Sequence, residues 1–209
     1  FSDRIPTKGQ TVLGKRHIIG PGGKGSNQAI AAARSGGKVS FISKLGKDNY
    51  SELALSLYKE AYINFDGVQF DPTIPTGVAG IMINEKTGEN AINVVPGAAG
   101  TIDQSMIDEC LPIIKNSKIF LTQLETPKDV TFYALKKAKE CGATTILNPA
   151  PASAFSKDFF ELIDFFTPNE TEASFYLNKN IESEKDCIEA GKEFLDMGVK
   201  NILITLGDK

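Results

Sequence analysis

The chain has little with which to build a covalent or metal framework: its 209 residues include three cysteines and one histidine. Cys110, Cys141 and Cys187 are widely spaced, odd in number and without a C-x-x-C pair, and His17 stands alone. That set argues against a disulfide scaffold and a cysteine–histidine zinc site, and reduced thiols point to a cytoplasmic protein. A surplus of positive charge is also missing, since 23 Lys and Arg face 26 Asp and Glu for a formal net charge of −3, with no basic block. A nucleic-acid partner, which needs a concentrated basic face, therefore finds no support. No apolar run reaches the roughly 20 residues of a membrane-spanning helix, and no secretory leader pattern is visible. The chain opens in "FSDRIPTKGQTV" without a methionine and stops in "LITLGDK", so both ends read as cut.

What is present is enough apolar residue, 41%, for one substantial core. From Val39 onward, short β-rich runs alternate with helical patterns: "VSFIS" then "SELALSLYKEA", "KIFLTQL" then "DVTFYALKKAKE", "TTILN" then "KDFFELI", "FFTP" then "ETEASFYL", and "CIEAGKEFLDMG" before "NILITLG". This rhythm predicts an α/β fold with a parallel sheet built from βαβ crossovers. Two segments break it. Residues 11–19, and the pair 77–83 and 91–95 around "NEKTGEN", read as antiparallel strands of a small β-sheet lid on a single, incomplete α/β domain spanning 1–209.

"HIIGPGGKGSNQAIAAARSGG" places Gly20, Gly22 and Gly25 at G-x-G-x-x-G spacing and adds a Gly23-Lys24 pair. A Walker A loop would need a glycine where Ile18 stands and a hydroxyl where Gly25 stands, so that reading fails at both ends. A dinucleotide site would need an acidic residue closing the next strand, which instead ends at Ser43-Lys44. The loop still has content. Glycines allow close backbone approach, the helix of "NQAIAAAR" offers free N–H groups, and the amides of Asn27 and Gln28 suit a polyol that both donates and accepts. The plainer alternative is a glycine turn capped by Ser26 or Asn27.

In open α/β sheets ligands gather outside the carboxyl ends of the strands. Four predicted strands end in polar or glycine residues there: Glu125, Asn148, Asn169, and Thr205 with Gly207. Singly, each suits a turn or cap. Asn169 and Glu172 have capping-box spacing, a role compatible with phosphate at the helix start and a carboxylate orienting water around magnesium.

"GGKGSNQA", "TPNETEA", "NPAPA" and "LITLG", in this order, resemble the signatures of the ribokinase family, also called the PfkB carbohydrate kinases; the likeness runs from Thr7 to Lys209. The resemblance implies a ribokinase-like parallel sheet with helices on both faces and a β-sheet lid that covers the sugar and forms a homodimer interface. It implies phosphorylation of D-ribose at the 5-hydroxyl by ATP with Mg2+, with K+ as a further candidate cofactor. By motif, Gly23, Lys24, Gly25, Ser26, Asn27 and Glu125 would contact sugar, Asn169, Thr205 and Gly207 the nucleotide, and Glu172 the metal. Family members also carry an early G-x-x-N-x-D motif and a late G-A-G-D motif that supplies the catalytic Asp. Neither lies within these 209 residues, so no catalytic base is assigned and the 209-residue chain alone is expected to be inactive. Another sugar or nucleoside kinase of the family, or a non-catalytic sugar-binding protein, are the alternatives. Retention of Asn169 and Glu172 speaks against the last.

Overall fold

A computed structural model describes residues 1–207 of the chain. It divides into two compact units, Phe1–Ala99 and Gly100–Lys209, where the sequence suggested one body.

In the first unit, α1 (Lys24–Arg34) leads to β1 (Ser40–Gly46), α2 (Asn49–Glu60), β2 (Asn64–Asp71) and the hairpin β3 (Thr76–Ile83) and β4 (Asn90–Gly97). β1 and β2 pair in parallel around the connecting α2, whose start is fixed by a capping box between Asp48 and Ser51. A small core of Ala29, Ile30, Tyr58 and Ile63 forms beneath α1. The buried residues of α1, Ser26, Ala29 and Ile30, recur at the i, i+3, i+4 spacing of one helix face.

The expected hairpin is present: β3 and β4 pair from Thr76↔Gly97 to Ile83↔Asn90, and the turn closes through Gly88 N–H to Asn84 O at 2.9 Å. Its base is tightly packed. A Cβ on Gly77 would stand 2.3 Å from Pro96 O, and one on Gly97 2.4 Å from Pro75 O, so only glycine fits. The strand expected over 11–19 is not there. Its apolar residues Leu13, Ile18 and Ile19 are exposed, and the place beside the hairpin is taken by Ser2, which donates to Ile83 O at 3.0 Å and accepts from Glu85 N at 2.9 Å. Alternation of side chains predicts a strand only where a pairing edge is open.

The second unit runs α3 (Gln104–Glu109), α4 (Leu111–Lys115), β5 (Ile119–Thr122), α5 (Lys128–Glu140), β6 (Thr144–Leu147), a short 3-10 turn over Lys157–Leu162, β7 (Phe165–Phe166), α6 (Glu170–Leu177), α7 (Glu184–Asp196) and β8 (Asn201–Ile202). The strands form one parallel sheet in the order β5-β6-β7-β8, as their alternation with helices predicts. Leu135, Leu147, Ile163, Phe166 and Phe194 are fully buried, and Phe166 meets Phe160 and Phe194 edge-on with ring centroids 5.4 and 5.1 Å apart.

At the amino edge of this sheet Asp164, just ahead of β7, is an ion-pair hub. It receives Lys200 Nζ at 2.6 Å, Lys139 Nζ at 3.5 Å, and the amide and hydroxyl of Thr145 at 2.9 and 3.0 Å. Burial acts to raise its pKa, but Lys200, Thr145 and Lys139 together outweigh it and hold the carboxyl down to about 2. A depressed carboxylate contributes stability above its unfolded pKa, so this contribution is present at neutral pH and is lost as pH falls from about 4 through about 2. Asp164→Asn is expected to cost about 2 kcal/mol in urea unfolding at pH 7 and almost nothing at pH 2. Equal losses at both pH values would contradict the charge-based account.

Candidate active site

Parallel strands leave the sheet at one edge, and the polar residues singled out in the sequence follow them there. Glu125 comes after β5, Asn148 after β6, Asn169 after β7, and Thr205 and Gly207 after β8. Main-chain bonds carry the pairing past the strand ends: Leu124 N to Ala150 O at 3.0 Å, Leu203 N to Phe166 O at 3.0 Å, and Thr205 N to Pro168 O at 3.0 Å. Asn169 and Thr205 form an isolated parallel bridge. Asn148 is held in this edge by Nδ2 donating to Thr167 O at 2.8 Å.

At the start of α6 the capping box is complete. Asn169 Oδ1 accepts from Glu172 N at 2.7 Å and Glu172 Oε2 accepts from Asn169 N at 2.9 Å. Each side chain thus spends one polar atom on the helix and keeps one over. Asn169 Nδ2 and Glu172 Oε1 make no hydrogen bond among the described residues, and Glu172 is nonetheless 8% exposed. A donor and an anionic acceptor, fixed side by side at a helix N-terminus, can receive a phosphate oxygen and a hydrated cation respectively. Among the described residues no group of three His, Cys, Asp or Glu side chains converges as a metal cage. One carboxylate oxygen fits Mg2+, which keeps most of its waters. The opposite end of α6 braces the loop after Asn148: the Tyr176 hydroxyl donates to Ser153 O at 3.1 Å and accepts Ser153 N at 3.3 Å. Burial pushes that phenol up to about 12, so it stays a neutral hydrogen-bonding group.

In the first unit the glycine loop enters α1 three residues earlier than the sequence suggested, at Lys24 rather than Asn27. Gly23, with φ 89°, is the N-cap and has no side-chain cap bond, so neither Ser26 nor Asn27 caps the helix. The first intrahelical bond runs from Asn27 N to Gly23 O at 2.9 Å, leaving the amides of Gly25 and Ser26 ahead of it. Added Cβ atoms at Gly20 and Gly22 would meet nothing within 4 Å. Internal packing therefore does not require glycine at either position, while a closely approaching ligand would. The earlier start places Ser26 on the buried face, 5% exposed, with its hydroxyl oxygen closed off from solvent and without a hydrogen-bond partner among the described residues. Asn27, the next residue, is exposed. A cleft of about 490 Å³ in this unit is walled by Ile19, Asp48, Asn49, Tyr50 and Leu53. Its carboxylate is already committed, with Asp48 accepting from Ser51 N at 3.0 Å and Thr76 N at 2.7 Å.

The sequence profile of pfkB family carbohydrate kinases matches residues 1–209. The chain belongs to that family. Ribokinase of Haemophilus influenzae is 36% identical over 201 residues, 96% of this chain and 65% of that protein. Ribokinase of Staphylococcus aureus is 38% identical over 186 residues, covering 89% of this chain and 61% of that one. The chain thus spans under two thirds of the length of these two relatives. Among solved structures, that of Arabidopsis thaliana ribokinase complexed with ribose and ATP matches with TM-score 0.88 at 30% identity, over 99% of this chain and 67% of the other. The parallel sheet with its helices and the small antiparallel sheet are accordingly those of a ribokinase fold.

One carboxylate at this edge escaped the sequence reading. Glu170, the first acidic residue of "NETE", has an Oε2 that is shut off from solvent and without a hydrogen-bond partner among the described residues. The signal was a second acid inside the capping box, masked by the better fit of Glu172 to the cap.

Proposed function

We propose that the full-length protein transfers the γ-phosphoryl group of ATP to the 5-hydroxyl of D-ribose. The observation that carries this reading is the capping box of α6, which leaves Asn169 Nδ2 and Glu172 Oε1 uncommitted beside the Thr205 bridge. On the nucleotide side, Asn169 would donate to a phosphate oxygen, and the segment from Thr205 to Gly207 would carry the nucleotide. Bound through Glu172, Mg2+ would offset the charge of the phosphates. On the sugar side, the backbone of Gly23 to Ser26, the Lys24 ammonium, the Asn27 amide and the Glu125 carboxylate would hold hydroxyls. In the reaction the 5-oxygen forms its bond to phosphorus as the bond to the ADP oxygen breaks, so positioning and charge offset are what these residues supply. No residue of the 209 is assigned as the base that takes the hydroxyl proton.

Mg2+ dependence, activation by K+ and a cytoplasmic location belong to the same reading. No helix among the described residues is long and apolar enough to cross a membrane. A homodimer through the lid is part of it too, supported by the exposed apolar pairs Ile81↔Ile92 and Val78↔Val95 of the hairpin. Deoxyribose is the second substrate to weigh, because a Salmonella typhi relative 30% identical over 210 residues is named deoxyribokinase.

The test is ADP release by the full-length protein with a panel of pentoses, hexoses and nucleosides. Ribose-dependent release is expected, with deoxyribose slower. No release with any sugar would refute the kinase reading, and a preference for deoxyribose would move the substrate. Within the same experiment, Asn27→Ala is expected to weaken ribose binding by roughly tenfold while ATP binding holds, both by calorimetry. Unchanged ribose affinity would remove Asn27 from the sugar site.

A further inference from the structure

We propose that Asp48 is a positioning residue for the sugar side: its carboxylate ties the root of the β3–β4 hairpin to the start of α2 and so fixes the direction in which the hairpin leaves the β1–β2 layer. One oxygen serves as the helix cap, Asp48 Oδ1 accepting from Ser51 N at 3.0 Å. The other reaches 28 residues along the chain, where Oδ2 accepts from Thr76 N at 2.7 Å. Thr76, the first residue of β3 and 9% exposed, answers with its hydroxyl, which accepts from Gly46 N at 2.9 Å. The β1–α2 turn and the hairpin root are thus closed on each other by a reciprocal pair of hydrogen bonds. Their backbones are also in close contact, for a Cβ on Gly46 would stand 2.4 Å from Thr76 N.

Capping alone does not require an aspartate. Ser, Thr and Asn cap with a single accepting oxygen, whereas amides from two separate segments call for two. The Thr76 amide, ahead of that of Ser51, holds the Asp48 carboxyl below the usual carboxylate range, which keeps both oxygens as acceptors at neutral pH. The loop between β2 and β3 is braced from its other end. There Asp71 Oδ1 accepts from Thr73 N at 2.9 Å and Ile74 N at 2.8 Å, and Lys44 Nζ stands 3.2 Å from Asp71 Oδ2. On the return strand, Ala98 N donates to Pro75 O at 2.8 Å. With the loop and the return strand held in this way, Asp48 joins the hairpin to α2. Ile19, which leads into the glycine loop, walls the same cleft as Asp48, so the anchored root lies beside the approach to that loop.

This rests on the reading in which the hairpin covers the sugar, and the experiment separates the two. In the full-length protein, Asp48→Ser keeps a capping oxygen for Ser51 N but cannot hold Thr76 as well, while Ser51→Ala weakens the cap and leaves the Thr76 bond in place. Hydrogen–deuterium exchange is followed over β3 and β4 without ligand, ribose and ATP affinities by calorimetry, and melting temperatures by fluorescence. Asp48→Ser is expected to speed exchange in the hairpin by roughly tenfold and to weaken ribose binding by a similar factor, with ATP affinity close to native. Ser51→Ala should lower the melting temperature while hairpin exchange and ribose affinity hold. Should Asp48→Ser not fold, Asp48→Asn, of the same size and with one accepting oxygen fewer, carries the same comparison. Native hairpin exchange or native ribose affinity in the Asp48 variant overturns the proposal. An equal loss of ribose affinity in Ser51→Ala also overturns it, because the effect would then follow the stability of α2 rather than the hairpin root. If the native protein binds no ribose, the sugar reading falls, while the exchange data still decide whether Asp48 holds the hairpin.

Discussion

Glu172→Gln in the full-length protein is expected to lower sugar-dependent ATP turnover by about 10- to 100-fold and to shift its magnesium titration to higher concentration. The reasoning turns on the two oxygens of Glu172. Oε2 closes the capping box on Asn169 N at 2.9 Å, and a glutamine carbonyl can take its place with little loss of stability. Oε1 has no such substitute, because an amide in its position carries no charge for a hydrated cation. Unfolding should therefore change by less than about 0.5 kcal/mol while catalysis collapses. A variant that melts earlier yet keeps its magnesium titration would show that Glu172 only caps the helix. Asn169→Ala removes both functions of the other partner and serves as the comparison.

The second large effect concerns the hairpin base. Gly97→Ala should destabilise the protein by about 3 kcal/mol or more, because the new methyl group would sit 2.4 Å from Pro75 O and 2.5 Å from Gly77 N with φ held at 55°. Gly88→Ala provides the control. It has a comparable φ of 77° but open space around it, so only the backbone term applies, about 1 kcal/mol. Urea midpoints of the two variants measure the difference directly. Similar, small losses at both positions would mean that the close approach at the base relaxes at little cost.

Elements whose cause is local could be read in advance. The box at Asn169 and Glu172 depends on a spacing of three residues, and the hairpin depends on alternation around a glycine-containing turn, so both stand as expected. Ser26 could not be oriented, because its direction depends on helix phase, and the phase is set by Gly23 taking a left-handed φ that composition does not reveal. β2 was missed since Asp66, Gly67 and Gln69 interrupt its apolar alternation; what holds it is pairing with β1. Leu13, Ile18 and Ile19 mimic a strand, but the register beside the hairpin belongs to Ser2. Glu125, Asn148, Asn169 and Thr205 could be assigned to one edge in advance because each follows a parallel strand, a property of topology that the alternation of elements already implies.

That directionality has a consequence for how substitutions in this stretch would be tolerated. Asp164 enters β7 and Asn169 leaves it, so residues only five apart in the sequence belong to opposite edges of the sheet. In a saturation library covering 164–172, damage at Asp164 should reduce the amount of soluble protein in the cell, and Glu172→Gln, which keeps the cap, should spare abundance and lower growth on the sugar. Two adjacent phenotypes, one of yield and one of metabolism, would be separated by a two-residue strand.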